Sequence, residues 1–458
     1  MKSELMGSKR IFDAPIKELV SAIEEEIISL DDLRDYVISQ NDRYKQYRCF
    51  ASFSEDLIKS QYRDLSEGKK QLVAPTVLYG IPIGVKDIIN TTDYPTQMGS
   101  PIWKGFEPGN DARVVYSIRS HGGIVAGKTV TAEFAVHKLN ETLNPWDITR
   151  TPGTSSSGSA ASVSLGILPA ALATQTAGSI IRPASFCGVY GYVPSFGLIP
   201  RTGVLKTTDS LDRIGYVTSN VHNLKTLLQS TRVRGMDYPF VFSAFMDHNR
   251  QSRGEKGYRI AFVKTYIWNE AEEYVRESVV KFVENISKDS NIAIDTIDID
   301  EIINGAHRIH EIIYDKSLSY YFENEYRDSD NMSAVMKEMV IKGKSIGREE
   351  YLNALNMQED MIKKMDSLFD DYDAILSIST SSIAPIRDEK EIDDPSLIWT
   401  LLHLPAVSIP QFVEEKTHLP FGVQLASRRY NDGILLELCE YLAQKSYIPE
   451  VISHPAID

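Results

Sequence analysis

Between Arg150 and Arg182 the chain runs from Thr151 to Ile181 without one charged residue, in a protein that is 24% charged. This stretch, TPGTSSSGSAASVSLGILPAALATQTAGSII, is crowded with Ser, Thr, Gly and Ala. A flexible Ser/Gly linker would lack its apolar block Leu165–Ala173. A membrane span would need about 18 or more largely apolar residues without so many hydroxyls. Small residues let backbone approach a ligand, and hydroxyls supply a nucleophile and hydrogen bonds where stray charges are costly to bury. The run therefore reads as the floor of a buried active site, with Ser155 and Ser179 as candidate hydroxyls. Ser179 follows Thr176-Ala177-Gly178, small residues whose N–H groups could converge on a developing oxyanion. Upstream, Lys86 sits in the apolar, strand-like run GIPIGVKDIINTT. Burial disfavours an ammonium, so such a lysine can work as a general base. Taken alone, a lysine there more often snorkels to water; the lysine, the hydroxyl cluster and the small-residue turn together carry more weight.

Other chemistries are weaker. Gly122-x-x-x-x-Gly127-Lys128-Thr129 satisfies the P-loop pattern, but a P-loop needs strand, glycine loop, then helix. Here Asp111–His121 reads as the helix, Gly122 and Gly123 as its stop, and IVAGKTV as the strand that follows. No G-x-S-x-G elbow occurs in the neutral run, and the nine histidines are scattered. His307 and His310, three apart on an expected helix, could bind metal. No Cys or carboxylate cluster supports that, so a solvated helix face is the preferred reading. Cys49, Cys187 and Cys439 show no metal or redox spacing and read as free thiols of a reducing cytosol.

The elements that must position these groups follow from the texture of the chain. Pro15–Lys70 has helical periodicity rich in acidic residues and predicts a pair of surface helices. From Val77 short apolar runs broken by Gly and Pro (GIPIGV, GGIVAG, GILPAALAT, IGYVTS) read as buried strands alternating with helical stretches Asp111–His121 and Ser157–Gly166. That alternation predicts an α/β fold, a sheet with helices on both faces. Met236–Lys256 reads as a polar connection spotted with aromatics, RIAFVK at Arg259–Lys264 as a strand, and Glu270–Asp371 as mostly charged helix. YDAILSIS, LPAVSIP and FGVQLAS return to core texture. The 458 residues read as one domain: N-terminal helices over 1–70, a catalytic core over 77–235, a helical excursion over 265–371, and a return to the sheet over 372–458. A net charge of −14 disfavours nucleic acid and anionic membrane as partners. Met1–Asp13 has no apolar segment of the signal-peptide kind, and a cytoplasmic location is expected.

The chain resembles the amidase-signature family over nearly its whole length. The family's Pro-Gly-Gly-Ser-Ser-Gly-Gly-Ser-Ala run corresponds to PGTSSSGSA at Pro152–Ala160, and its Thr-Gly-Gly-Ser turn to TAGSIIRPA at Thr176–Ala184. GIPIGVKDIINTT, GKTVTAEFA, NPWDITRTPG, FCGVYGYVPSFGLIPRTGV, SLDRIGYV and LPAVSIP…GVQL agree in the same order. The resemblance implies a central mixed, twisted sheet covered by helices. It makes Ser179 the nucleophile, Lys86 the ultimate base, and Ser155 the bridging serine, held by a cis peptide from Thr154. Backbone N–H groups of Thr176, Ala177, Gly178 and Ser179 would form the oxyanion hole, and no metal or cofactor is called for.

Departures from the family pattern are informative. Thr154 and Ala177 replace glycines; a β-branched residue at the former tightens the fit, and the latter needs a negative φ. Gln175 stands where many members carry aspartate. The arginine comes third after the nucleophile, in Ser179-Ile180-Ile181-Arg182-Pro183, whereas many members have Ser-Ile-Arg-x-Pro. This looks like the malonamidase branch, in which the arginine would clamp a substrate carboxylate; a structural ion pair is the competing reading. Pocket-shaping side chains are expected from Glu270–Asp371 and Asn90–Pro101. The expected activity is hydrolysis of a small amide, malonamate-like if Arg182 is a clamp, with no macromolecular partner beyond an allowed homodimer. A glutaminase-type subunit of a tRNA-dependent amidotransferase is the alternative, and a phosphate-binding module using Gly122–Thr129 the third.

Overall fold

The computed structural model describes residues 10–68, 72–73, 75–249, 257–327, 329–387, 389 and 393–456. Most of Met1–Asp13, part of the Met236–Lys256 connection and the end of Pro15–Lys70 lie outside these residues. Among the described residues, eleven strands form one mixed sheet. They are β1 (Phe50–Ser52), β2 (Pro82–Lys86), β3 (Ile124–Thr129), β4 (Ala170–Gln175), β5 (Tyr190–Val193), β6 (Arg213–Thr218), β7 (Tyr258–Val263), β8 (Ile292–Ile297), β9 (Ala374–Ile378), β10 (Ala406–Val413) and β11 (Pro420–Ser427). Their order across the sheet is β1-β3-β2-β4-β6-β5-β10-β11-β9-β7-β8. β2, β3, β4 and β6 are buried at every residue. This is why they read as continuous apolar or small-residue runs instead of alternating ones.

Three readings of the sequence are corrected here. The N-terminal region holds three helices, Ile16–Glu24, Leu30–Arg43 and Glu55–Ser66, with the short strand β1 paired antiparallel to β3. Ser29 and Asp32 form a capping box that starts the second helix, a local signal that separates it from the first. Pro239–Asn249 is helical, although part of the stretch expected as a connection. Its Phe240 is 88% exposed, so no apolar stripe announces it. Finally, β8 interrupts the stretch expected as charged helix. It lies at the sheet edge parallel to β7, and the half-buried alternation of IAIDTI was its available signal.

The order of elements that argued against a P-loop is the one observed. Helix Arg113–Ser120 precedes Gly122, which turns with φ 87°, and Gly127, Lys128 and Thr129 belong to β3. Lys128 is wholly buried and donates to Thr96 Oγ1 at 2.7 Å, beside Asp87 Oδ1 at 3.1 Å. Its ammonium is thus taken up inside the fold, with no helix N-terminus behind it to cradle a phosphate. No helix among the described residues is long and apolar enough to cross a membrane.

Candidate active site

Lys86 is the last residue of β2, parallel to both β3 and β4. That position points its stem between the sheet and the helix Ser157–Ser164, where it is 0% exposed; it does not snorkel. Its Nζ lies 2.7 Å from Ser155 Oγ, 2.9 Å from Ser156 Oγ and 2.9 Å from Thr174 Oγ1. All three partners are neutral hydroxyls. Burial drives the Lys86 pKa well below its ordinary value, because a low-dielectric site disfavours the ammonium and hydroxyls compensate only weakly. The Asp212 carboxylate opposes that shift, and the Arg182 guanidinium adds to it. The amine is therefore held in a form that can accept a proton.

Ser155 stands in the turn Thr154–Ser156, just before the helix. Its hydroxyl donates to the Ala135 carbonyl at 3.0 Å. Gly153 brings this turn to the second signature stretch: at φ 95°, a Cβ on it would lie 2.5 Å from Pro183 Cα. Thr154 has φ 67°, a left-handed conformation that glycine adopts freely and a β-branched residue does not. Ala177 avoids that problem, since it is not among the residues with positive φ.

The turn carrying Ser179 is tied down on every side. Gln175 Oε1 accepts from the N–H of Ile180 at 2.8 Å and of Ile181 at 3.1 Å, while its Nε2 donates to Thr400 Oγ1. A neutral amide thus does two jobs where a carboxylate could only accept. Thr400 Oγ1 donates to the Ala177 carbonyl at 2.6 Å, and His310 Nε2 to the Thr176 carbonyl at 2.8 Å. No acceptor among the described residues meets the N–H groups of Ala177, Gly178 or Ser179, so these donors are available to a ligand. Ser179 itself is 7% exposed.

Arg182 lies in the following helix, Ile181–Cys187, with Nη1 3.0 Å from Asp394 Oδ2. Both line a cavity of about 370 Å³, together with Arg150, Glu272 and Ser381. Asp394 also accepts from the N–H and hydroxyl of Ser396. It packs so closely on the turn that a Cβ at residue 178 would lie 1.7 Å from its Oδ2. Gly178→Ala is accordingly expected to expel Asp394, break its ion pair with Arg182, and lower turnover by about 10²-fold or more. A steady-state assay alongside thermal melting checks this, and near-normal turnover would contradict it.

Groups far along the chain reach the site, among them the helix Ala306–Tyr321 within the expected pocket-shaping stretch Glu270–Asp371; the sequence reading did not assign Asp394 and Thr400 a part in it. Helix Ala306–Tyr321 presents His307, His310 and Tyr314 toward the site. His310 is 3% exposed, so the solvated-face reading of this pair is corrected for it. Burial pushes the His310 imidazole down to about 4, which keeps it neutral as a donor to Thr176. His307 Nε2 instead meets the Asp394 carbonyl at 3.2 Å, and Tyr266 OH its Nδ1. The two rings serve different carbonyls, and no group of His, Cys, Asp and Glu among the described residues is arranged to hold a metal. From Asn90–Pro101, Thr96 and the Pro95 carbonyl accept from Lys128. The three cysteines are free and buried, with thiols pushed up by burial.

Comparison with known proteins identifies the family and the fold. The amidase family profile matches residues 36–436. A glutamyl-tRNA(Gln) amidotransferase subunit from Halalkalibacterium halodurans is 28% identical, covering 95% of this chain and 97% of its own length. The crystal structure of the corresponding subunit from Thermotoga maritima superposes with a TM-score of 0.79 at 26% identity, covering 98% of each chain. Peptide amidase from Stenotrophomonas maltophilia shares the fold, with a TM-score of 0.79 at 20% identity over 97% of this chain and 99% of its own. With a family match over most of its length and the fold of known amidases, the chain belongs to the amidase-signature family and is an enzyme acting on amide C–N bonds.

Proposed function

We propose that the protein is a serine amidohydrolase that cleaves a small amide through an acyl-enzyme on Ser179, with Ser155 and Lys86 as proton relay. The observation that carries this reading is the buried Lys86 amine, 2.7 Å from Ser155 Oγ and also hydrogen-bonded to the hydroxyls of Ser156 and Thr174. Ser155 first turns its proton from the Ala135 carbonyl toward Lys86. Lys86 then accepts that proton while Ser155 accepts the Ser179 proton, and Ser179 Oγ bonds to the amide carbon. The N–H groups of Thr176 to Ser179 receive the oxyanion. As the C–N bond breaks, the relay runs backwards and protonates the leaving nitrogen, since an amide anion leaves poorly. Water repeats the cycle on the acyl-enzyme and releases the carboxylate. Buried free thiols accord with a cytoplasmic setting.

For substrate, Arg182 third after Ser179 favours an amide bearing a carboxylate, as in malonamate. A guanidinium fork matches a carboxylate bidentately, and Arg182 opens on the 370 Å³ cavity, where Asp394 is its partner until a substrate anion takes that place. The test is a panel of malonamate, propionamide and glutamine. Arg182→Met is expected to raise KM for malonamate about tenfold or more and to leave propionamide little changed; equal effects on both would assign Arg182 a structural role.

A second reading has a specific observation behind it: relatives covering 95% of this chain are named as subunits of glutamyl-tRNA(Gln) amidotransferase. Under that reading the substrate is glutamine, and hydrolysis depends on a second protein of the same complex. Co-purification of such a protein, with glutamine turnover appearing only in its presence, would decide for it.

A further inference from the structure

Asp212 immediately precedes β6, and the antiparallel register that sets Gln175 against Arg213 brings it level with Thr176 at the end of β4. Its carboxylate is enclosed by donors. Oδ2 accepts from the N–H of Thr207 at 2.8 Å and of Thr208 at 3.0 Å. Oδ1 accepts from the hydroxyls of Thr207 at 2.6 Å, Thr208 at 3.0 Å and Thr176 at 2.8 Å. Thr208 Oγ1 in turn accepts from the N–H groups of Leu211 and Asp212, which closes the loop 207–212 on itself. Five donations on two oxygens make a cage suited to a negative charge, and Thr207 and Thr208 are 2% and 0% exposed. The relay described above makes no use of this carboxylate.

We propose that Asp212 is a positioning residue for the reaction: through Thr176 it anchors the turn that carries Ser179, and it holds its caged carboxylate at the end of β4, the strand whose Thr174 contacts Lys86. The proposal rests on the roles given to Lys86 and Ser179 above. The groups around the lysine support it. Lys86 faces hydroxyls from the Thr154–Ser156 turn and from β4, and two charges act on it, Arg182 from one helix and Asp212 from the start of β6. Asp212 favours the ammonium, and Arg182 and burial disfavour it. Asp212 has Arg201 Nη1 at 3.5 Å, and its charge also reaches the Tyr314 phenol, whose pKa it helps to raise. One carboxylate thus joins the geometry of the oxyanion turn to the proton affinity of the base. Both must be right at once for Ser179 to attack.

The test uses a fluorophosphonate, which reports serine activation without a native substrate, with its labelling rate followed from pH 4 to 9 and the adduct located by mass spectrometry. The neutral amine is the working form, so the rate should rise with pH through the Lys86 pKa. Removing the negative charge in Asp212→Asn lowers that pKa further, and the acid limb is expected to move about one pH unit toward acid. Thr176→Val removes the anchor but no charge. It should lower the plateau about tenfold and leave the limb in place. A lowered plateau with an unmoved limb in Asp212→Asn would overturn the proposal; Asp212→Ser gives the same readout should Asn prevent folding. Wild-type protein labelled away from Ser179 would instead overturn the reading beneath it, and the proposal would fall too.

Discussion

Ser179→Ala is expected to lose amide turnover by a factor on the order of 10⁶, the scale found when a serine nucleophile is removed from a relay that acts as a unit. Alanine leaves the oxyanion donors, the cavity and the lysine intact, so the protein should fold and bind normally while forming no acyl-enzyme. Gln175, Thr400 and His310 hold that turn by its own amides and carbonyls, contacts that the substitution leaves in place. The check is rapid-quench mass spectrometry on wild type and variant with the fastest amide of the panel. An acyl adduct in the variant, or turnover above about one per cent, would remove Ser179 from the mechanism.

Lys86→Met should act in two opposite directions. Activity is expected to fall on the order of 10²–10⁴-fold, the usual contribution of a positioned general base. Stability should rise. Below pH 10.5, the ordinary lysine value, the unfolded chain carries a proton that the buried native amine has shed. The unfolded state therefore binds more protons, and native stability increases with pH up to about 10.5. Burial penalises the ammonium, and contacts to neutral hydroxyls offset that only weakly. Methionine has nearly the same shape and no proton to lose, so a gain in stability follows. The gain should be largest in mildly acidic buffer and shrink toward pH 10. Denaturant melts of both proteins between pH 6 and 10 measure this; a gap that widened with pH would mean that Lys86 is charged in the native state.

Much of the chemistry was legible before folding. Lys86, Ser155 and Ser179 stand in stretches whose composition is itself physical evidence, since a long run of hydroxyls and small residues without charge is what a close-packed, ligand-facing backbone requires. The buried strands showed themselves as apolar runs, and Gly122 as a helix stop that excludes a P-loop. These are short-range signals, carried by sterics and burial over a few residues. The helix Pro239–Asn249 escaped because its large apolar side chains include exposed ones, and β8 because alternation over six residues is easily lost among charged neighbours.

What folding alone decided is how far-separated groups meet. Whether Lys86 snorkels or loses its proton depends on Ser155, Ser156 and Thr174 closing around it. The partners of the catalytic turn, Asp212, His310, Asp394 and Thr400, come from the start of β6, from a distant helix and from the returning chain. Sheet register and helix packing set those meetings, and both arise from interactions across the whole core. The residue types along the chain thus pointed to the reaction proposed, and the tertiary contacts decide the surroundings and aim of each group assigned to it.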